Sequence, residues 1–200
     1  MAKKEDIVTT QGKTYMHEVR WQTTPIVYKP ITGITRAAPC VVTAAAHGVP
    51  DGWPVAIVSA SGMTQINART PPKDHEYKTA TVLTTNTIEL NDVNSAAYTA
   101  YTSGGYVQYY TPHELAGYTA LLVVKTKVGG TELLRLTSAT SAIVIDDAKK
   151  CITVRIDAVI TAAWTWTRGV YELELHSSSE EVTAILHGTI SVTAEIATTT

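Results

Sequence analysis

Residues 169–196 read GVYELELHSSSEEVTAILHGTISVTAEI. Tyr171, Leu173 and Leu175 alternate with Glu172, Glu174 and His176. Further on, Ile190, Val192, Ala194 and Ile196 alternate with Thr189, Ser191, Thr193 and Glu195. Successive side chains of a strand point to opposite faces, so a period of two sets one apolar row toward a core and one polar row toward water. Ser177–Glu180 separates the two runs and reads as a hairpin loop. A turn centred on Ser178 and Ser179 would set His176 opposite Glu181 and His187 opposite Val170.

The same pattern extends outward from this hairpin. Ile152, Val154 and Ile156 alternate with Thr153, Arg155 and Asp157. The Ala-rich stretch Asp157–Trp164 between these runs predicts a short helix or crossover. Near the start, Tyr15, His17, Val19 and Trp21 share one face, and Met16, Glu18, Arg20 and Gln22 the other. Pro25 and Pro30 bracket Ile26, Val27 and Tyr28, which suits an edge strand or a strand end. From Ile31 to Tyr109 the texture changes. Short β-like runs at Cys40–Thr43, Pro54–Ser59, Tyr77–Leu83, Thr87–Leu90 and Gly105–Tyr109 are separated by turn signals such as Pro50-Asp51-Gly52 and Ser103-Gly104-Gly105. Asn94–Ala100 reads as a helical turn or an irregular loop.

This layout predicts an all-β fold, a β-sandwich with an inserted small β-barrel domain. The sandwich takes residues 1–30 plus 110–200, because the strand near 14–21 finds no partner of its own type before residue 118. The barrel takes residues 31–109. Such an insertion is tolerated because lengthening a surface connection adds little closure entropy.

Composition agrees. There are 33 threonines, 10 tyrosines and no phenylalanine in 200 residues, and Thr, Val, Ile and Tyr suit a pleated surface. Charged residues are 17% and the net charge is −2, which argues against nucleic acid as a partner. No apolar run is long enough for a membrane helix. The first residues lack the apolar core of a secretory signal, so synthesis in a cytoplasm with reduced thiols is expected. Cys40 and Cys151 match no zinc or redox spacing.

Candidate chemistry is sparse. Asp74-His75-Glu76 would need a sharp turn to converge on one ion, and it reads as a solvated loop. The six histidines, at 17, 47, 75, 113, 176 and 187, show no short ligand spacing. Glu172 and Glu174 share a strand face, and reading them as the wet side of that strand, or as one side of a subunit contact, explains the pair. No nucleophile elbow, dinucleotide fingerprint or phosphate-binding loop occurs. No catalytic, cofactor-binding or metal-ligating residue is therefore assigned, and the chain is read as a non-enzyme without cofactor. The one local enrichment is aromatic: Tyr98, Tyr101, Tyr106, Tyr109 and Tyr110. Tyrosine supplies rigid amphipathic contact area, so Tyr98, Tyr101, Tyr106 and Tyr109, with Trp164 and Trp166, are candidate interface residues; the same rings would also serve a core that lacks Phe.

Two segments resemble known families. Ile31-Thr32-Gly33-Ile34-Thr35, Val41–Gly48, Gly62–Asn67, Ile88-Glu89-Leu90 and Ala97–Gly105, in that order, resemble a small β-barrel module of tailed-bacteriophage tail and fibre proteins. That module is similar to the first catalytic-cysteine half-domain of ubiquitin-activating enzymes. Cys40 has no activating base beside it in sequence, so thioester chemistry is not carried over. Residues 110–198, on Gly169–Leu175, the Ser-rich turn, Val182-Thr183 and Leu186–Val192, resemble the N-terminal β-sandwich of baseplate and fibre adaptor proteins. In that family the sandwich docks a fibre or spike onto the tail. No fibre or receptor-binding head follows it in this sequence, which favours an adaptor. The resemblance implies a structural subunit of a virion, made in the bacterial host cytoplasm and placed in the tail, baseplate or head–tail neck. Its partners would be other virion proteins, in a homo-oligomeric ring, with neither nucleic acid nor membrane. The alternative is a host-surface module that binds a glycan or protein.

Overall fold

The computed structural model describes residues 2–196; residue 1 and residues 197–200 of the expected sandwich segments lie outside them. The chain is nearly all β. In order it forms β1 (Lys3–Lys4), β2 (Ile7–Thr10), β3 (Tyr15–Val19), β4 (Gln22–Pro30), β5 (Gly33–Ile34), β6 (Cys40–Thr43), β7 (Trp53–Ser61), β8 (Lys78–Thr84), β9 (Thr87–Leu90) and β10 (Ser103–Pro112). There follow β11 (Thr119–Lys125), β12 (Glu132–Thr137), β13 (Ile143–Asp146), β14 (Cys151–Ile156), the short helix α1 (Ala158–Ala162), β15 (Arg168–His176) and β16 (Val182–Thr193). The chain divides into two compact units. One combines the segment up to Trp21 with that from Glu114 onward, and the other is Gln22–His113.

The first unit holds two sheets. In the larger, β1, β16, β15, β11 and β12 lie side by side, with β2 also on β16. In the smaller, β14 lies between β13 and β3. The early strand β3 thus finds its partner in β14, with Val19 opposite Ile152 and Tyr15 opposite Ile156. The alternation in the sequence explains the core. Leu122 and Val124 of β11, Leu173 and Leu175 of β15, and Leu186 and Ile190 of β16 are buried in one cluster with Ile152, Val154 and Ile156 of β14. Two sheets that share one apolar filling make a sandwich-like unit. The Ala-rich stretch contains α1, as its composition suggested, and Thr161 of α1 donates its hydroxyl to the Lys13 carbonyl at 2.8 Å.

The hairpin register differs from the simple turn. His176 pairs with Val182, and Glu172 pairs with His187. There are two causes. The loop closes with Ser177 N–H donating to the Glu181 carbonyl at 2.9 Å, which makes it longer than a two-residue turn. A bulge then inserts Ile185 between the Glu174–Ala184 and Leu173–Leu186 pairs, so the neighbours Ile185 and Leu186 are both buried. The strand ends at Thr193, and Ile196 of the expected alternation is fully exposed.

The second unit is one seven-stranded sheet in the order β4-β10-β7-β8-β9-β6-β5. Its core gathers Val42, Trp53, Val55, Ile57, Ile88, Leu90, Val107 and Tyr109. The expected boundaries place residues 22–30 and 110–113 in the sandwich. They belong here, because β4 is hydrogen-bonded along β10 from Pro30 opposite Tyr106 to Gln22 opposite Pro112. Pro25 and Pro30 sit on the end strand of the sheet, where a missing N–H is harmless. The strand pairing does not close into a barrel. The end strands β4 and β5 are consecutive, and between them the chain changes partner: Ile31 N–H donates to the Gly105 carbonyl at 3.0 Å and Thr32 N–H to the Thr43 carbonyl at 2.9 Å.

Candidate functional site

Most of the aromatic residues singled out from sequence serve the cores. Tyr109 is 3% exposed and donates its hydroxyl to the His47 carbonyl. Tyr98 and Tyr101 pack half-buried against the same cluster, and the Tyr101 hydroxyl lies 3.0 Å from the Ile31 carbonyl and 2.9 Å from that of Gly104. Trp164 is buried and Trp166 half-buried in the first unit, with ring centroids 4.6 Å apart. Of the six, only Tyr106 is an exposed residue.

Tyr106 belongs to a set that the sequence did not show as one. Along β10, Val107 and Tyr109 point into the core, so Tyr106, Gln108 and Tyr110 take the other face. Pairing with β4 sets Tyr28 directly across from Gln108, and its ring meets Tyr106 edge-on at 6.1 Å. Tyr77, just before β8, lies 6.1 Å from Tyr110, and its hydroxyl accepts a 3.2 Å hydrogen bond from Gln108 Nε2. Gln108 is thereby buried at 2% exposure, while Tyr28 keeps 51% and Tyr106 43% of their surface open. Partial burial raises the Tyr77 pKa, and the Gln108 hydrogen bond opposes that rise. Tyr28 and Tyr77 were missed because they lie far from residues 98–110 in sequence. The available signal was the Ile26-Val27-Tyr28 run, which needed its partner strand to be known.

The second feature lies on the outer face of the large sheet of the first unit. A cavity of about 620 Å3 opens there. Leu121, Val123 and Val170 form a half-buried aliphatic strip on its floor. Lys125, Lys127 and Arg135 stand toward β11 and β12, and Glu172 and Glu174 on β15. The shifted hairpin register is what brings His187 beside Glu172. Arg135 already pairs with Glu132 at 2.7 Å, and His176 Nε2 lies 3.3 Å from Glu174. Partial loss of water and the adjacent Glu174 carboxyl both raise the Glu172 pKa, and His187 moderates the rise.

The remaining candidates resolve into structural roles. Asp74-His75-Glu76 forms a short 3-10 turn, and the Glu76 carboxylate accepts the Lys73 N–H at 2.7 Å and the Arg69 N–H at 3.3 Å. Those backbone donors, Lys73 first, hold its pKa below the usual value. Cys40 and Cys151 are buried free thiols, and burial raises both pKa values. Among the described residues no group of three or more His, Cys, Asp or Glu is placed to hold a metal ion. No helix among them is long and apolar enough to cross a membrane. No protein-family model matches the chain, and no curated protein matches it.

Proposed function

We propose that this chain is a structural subunit of a tailed-bacteriophage virion, an adaptor of the tail, baseplate or head–tail neck that works by protein contacts and not by catalysis. The observation that carries the reading is the tyrosine face. Tyr28 and Tyr106 stand open over a Gln108 that is already buried and hydrogen-bonded. Aromatic rings held by their neighbours lose little conformational freedom when a partner covers them, and Tyr is enriched at the centres of protein interfaces. The family resemblance of residues 31–109 and of residues 110–198 supports a tail or fibre protein as that partner.

The test is immunogold labelling of tailed particles purified from a culture that expresses this chain. Label confined to the neck, tail or baseplate is expected. The pair Tyr28→Ser with Tyr106→Ser should fold normally yet lose most of its incorporation. Particles without label would overturn the virion reading. The same open tyrosine pair also suits stacking on a sugar, and specific retention on a glycan array, abolished by the two substitutions, would favour the host-surface alternative.

A further inference from the structure

The cavity of the first unit has an occupant of matching chemistry on the chain itself. The connection between β11 and β12 ends in a hydrogen-bonded turn, with Gly130 N–H donating to the Lys127 carbonyl at 2.8 Å and Thr126 N–H to the Thr131 carbonyl at 2.9 Å. That turn holds Val128 outward, 91% exposed. Lys127 beside it is exposed and makes no ion pair among the described residues. Lys127, Val128 and Gly129 of the turn form one wall of the cavity, and beside them it holds the complement of both: an aliphatic strip and, on β15, two adjacent carboxyls, Glu174 with His176 Nε2 at 3.3 Å and Glu172 paired across the strands with His187. The lining is therefore polarised, with Lys125 and Lys127 on β11 and its turn and Glu172 and Glu174 on β15, while Arg135 of β12 is already paired with Glu132. Such a face is complementary to itself turned over, because a two-fold axis running along the strands between β11 and β15 lays the basic side of one copy on the acidic side of the other.

We propose that the cavity receives the β11–β12 turn of a second copy of this chain, reciprocally, with Val128 of each copy on the Val123–Val170 strip of the other and Lys127 of each against Glu172 and Glu174. The contact uses a different unit from the tyrosine face. It rests on the reading of the chain as an assembly subunit, to which it adds the surface that joins copies to each other.

Charge reversal in a symmetric contact gives a sharp test. The readouts are mass by light scattering and the self-association constant by sedimentation, on the full chain. The wild type should dimerise, since a reciprocal two-fold contact closes at two copies. Lys127→Glu and Glu172→Lys should each weaken association at least tenfold, by setting like charges opposite one another. The chain carrying both changes should recover most of it. That recovery also excludes misfolding as the cause of the single losses, since a chain damaged twice would not regain assembly. Wild-type protein that stays monomeric up to about 1 mM, where only some 4 kcal/mol would be needed for detection, overturns the contact. Unchanged association in both single variants overturns it as well. Neither result touches the immunogold test, so this contact and the virion reading fail separately.

Discussion

At the scale of single residues, the entry of the chain into the large sheet turns on Asp6 and Gly188. Strands β1 and β2 run parallel to β16 in one continuous register, Lys4 opposite His187 and Ile7 opposite Ile190, yet the ladder is interrupted between them after Glu5 N–H donates to the His187 carbonyl at 2.9 Å. The Asp6 carboxylate takes the place of a backbone acceptor. It accepts the Thr189 N–H at 2.9 Å and the Thr189 hydroxyl at 3.0 Å. Gly188 permits this approach, since a Cβ there would stand 1.9 Å from the Glu5 carbonyl oxygen. The Thr189 N–H, then its hydroxyl, lowers the Asp6 pKa below 3.8. A lowered folded pKa means a contribution that is complete above the unfolded value and is lost as the pH falls through the folded one. Acidification below about pH 4, the unfolded aspartate value, should therefore release the Thr189 amide and loosen β1 and β2 before the core strands. Amide exchange resolved by residue measures this. Asp6→Asn should flatten the pH response, and Thr189 protection that is constant across the range would refute the assignment.

At the scale of elements, β15 is the hinge of the first unit's stability. It pairs on one side with β16 and on the other with β11, and Leu173 at its middle is fully buried. Leu173→Ala leaves a cavity that neighbours paired on both sides cannot collapse into, so a loss of about 2–5 kcal/mol is expected. Urea unfolding followed through amides of β11, β15 and β16 should show the midpoint fall, with an unchanged slope. A loss under about 1 kcal/mol would mean that the site collapses after all. The strands were legible where one face is buried and the other wet, because Tyr171, Leu173, Leu175, Ile152, Val154 and Ile156 write that contrast into the sequence. Register was not legible. It depends on the longer loop closed between Ser177 and Glu181 and on one extra residue, Ile185, whose apolar side chain fits either the regular pattern or a bulge. The error carried into the candidate site, since only the bulged register sets His187 against Glu172. Strand β4 was misassigned for a related reason. Its exposure pattern is irregular, so Ile26, Val27 and Tyr28 announce a strand without announcing its partner.

At the scale of the molecule, the chain carries two separate cores, and the second belongs to an uninterrupted segment. Its first strand and its last are paired through their ends, Thr23 opposite Thr111 and Gln22 opposite Pro112, so the segment leaves close to where it enters. A closed pair of ends is what lets one unit be inserted into another with little strain on either. The inserted unit has its own apolar filling around Trp53, and its internal polar groups are answered locally. Ser95 is one example, with its hydroxyl 2.7 Å from the Thr35 carbonyl while it accepts the Ala37 N–H at 3.1 Å. At roughly ninety residues it exceeds the length at which staples become necessary. Residues 22–113 expressed alone should therefore give a dispersed amide spectrum and a cooperative urea transition. Slow exchange should survive at Ile57, Ile88 and Val107, whose side chains form that filling. The isolated segment should also keep the Tyr28–Tyr106 face, since both strands that build it, β4 and β10, lie within the segment. A collapsed spectrum without slow amides would show that the second core needs the first unit to form. The tyrosine face would then have to be treated as a property of the whole chain.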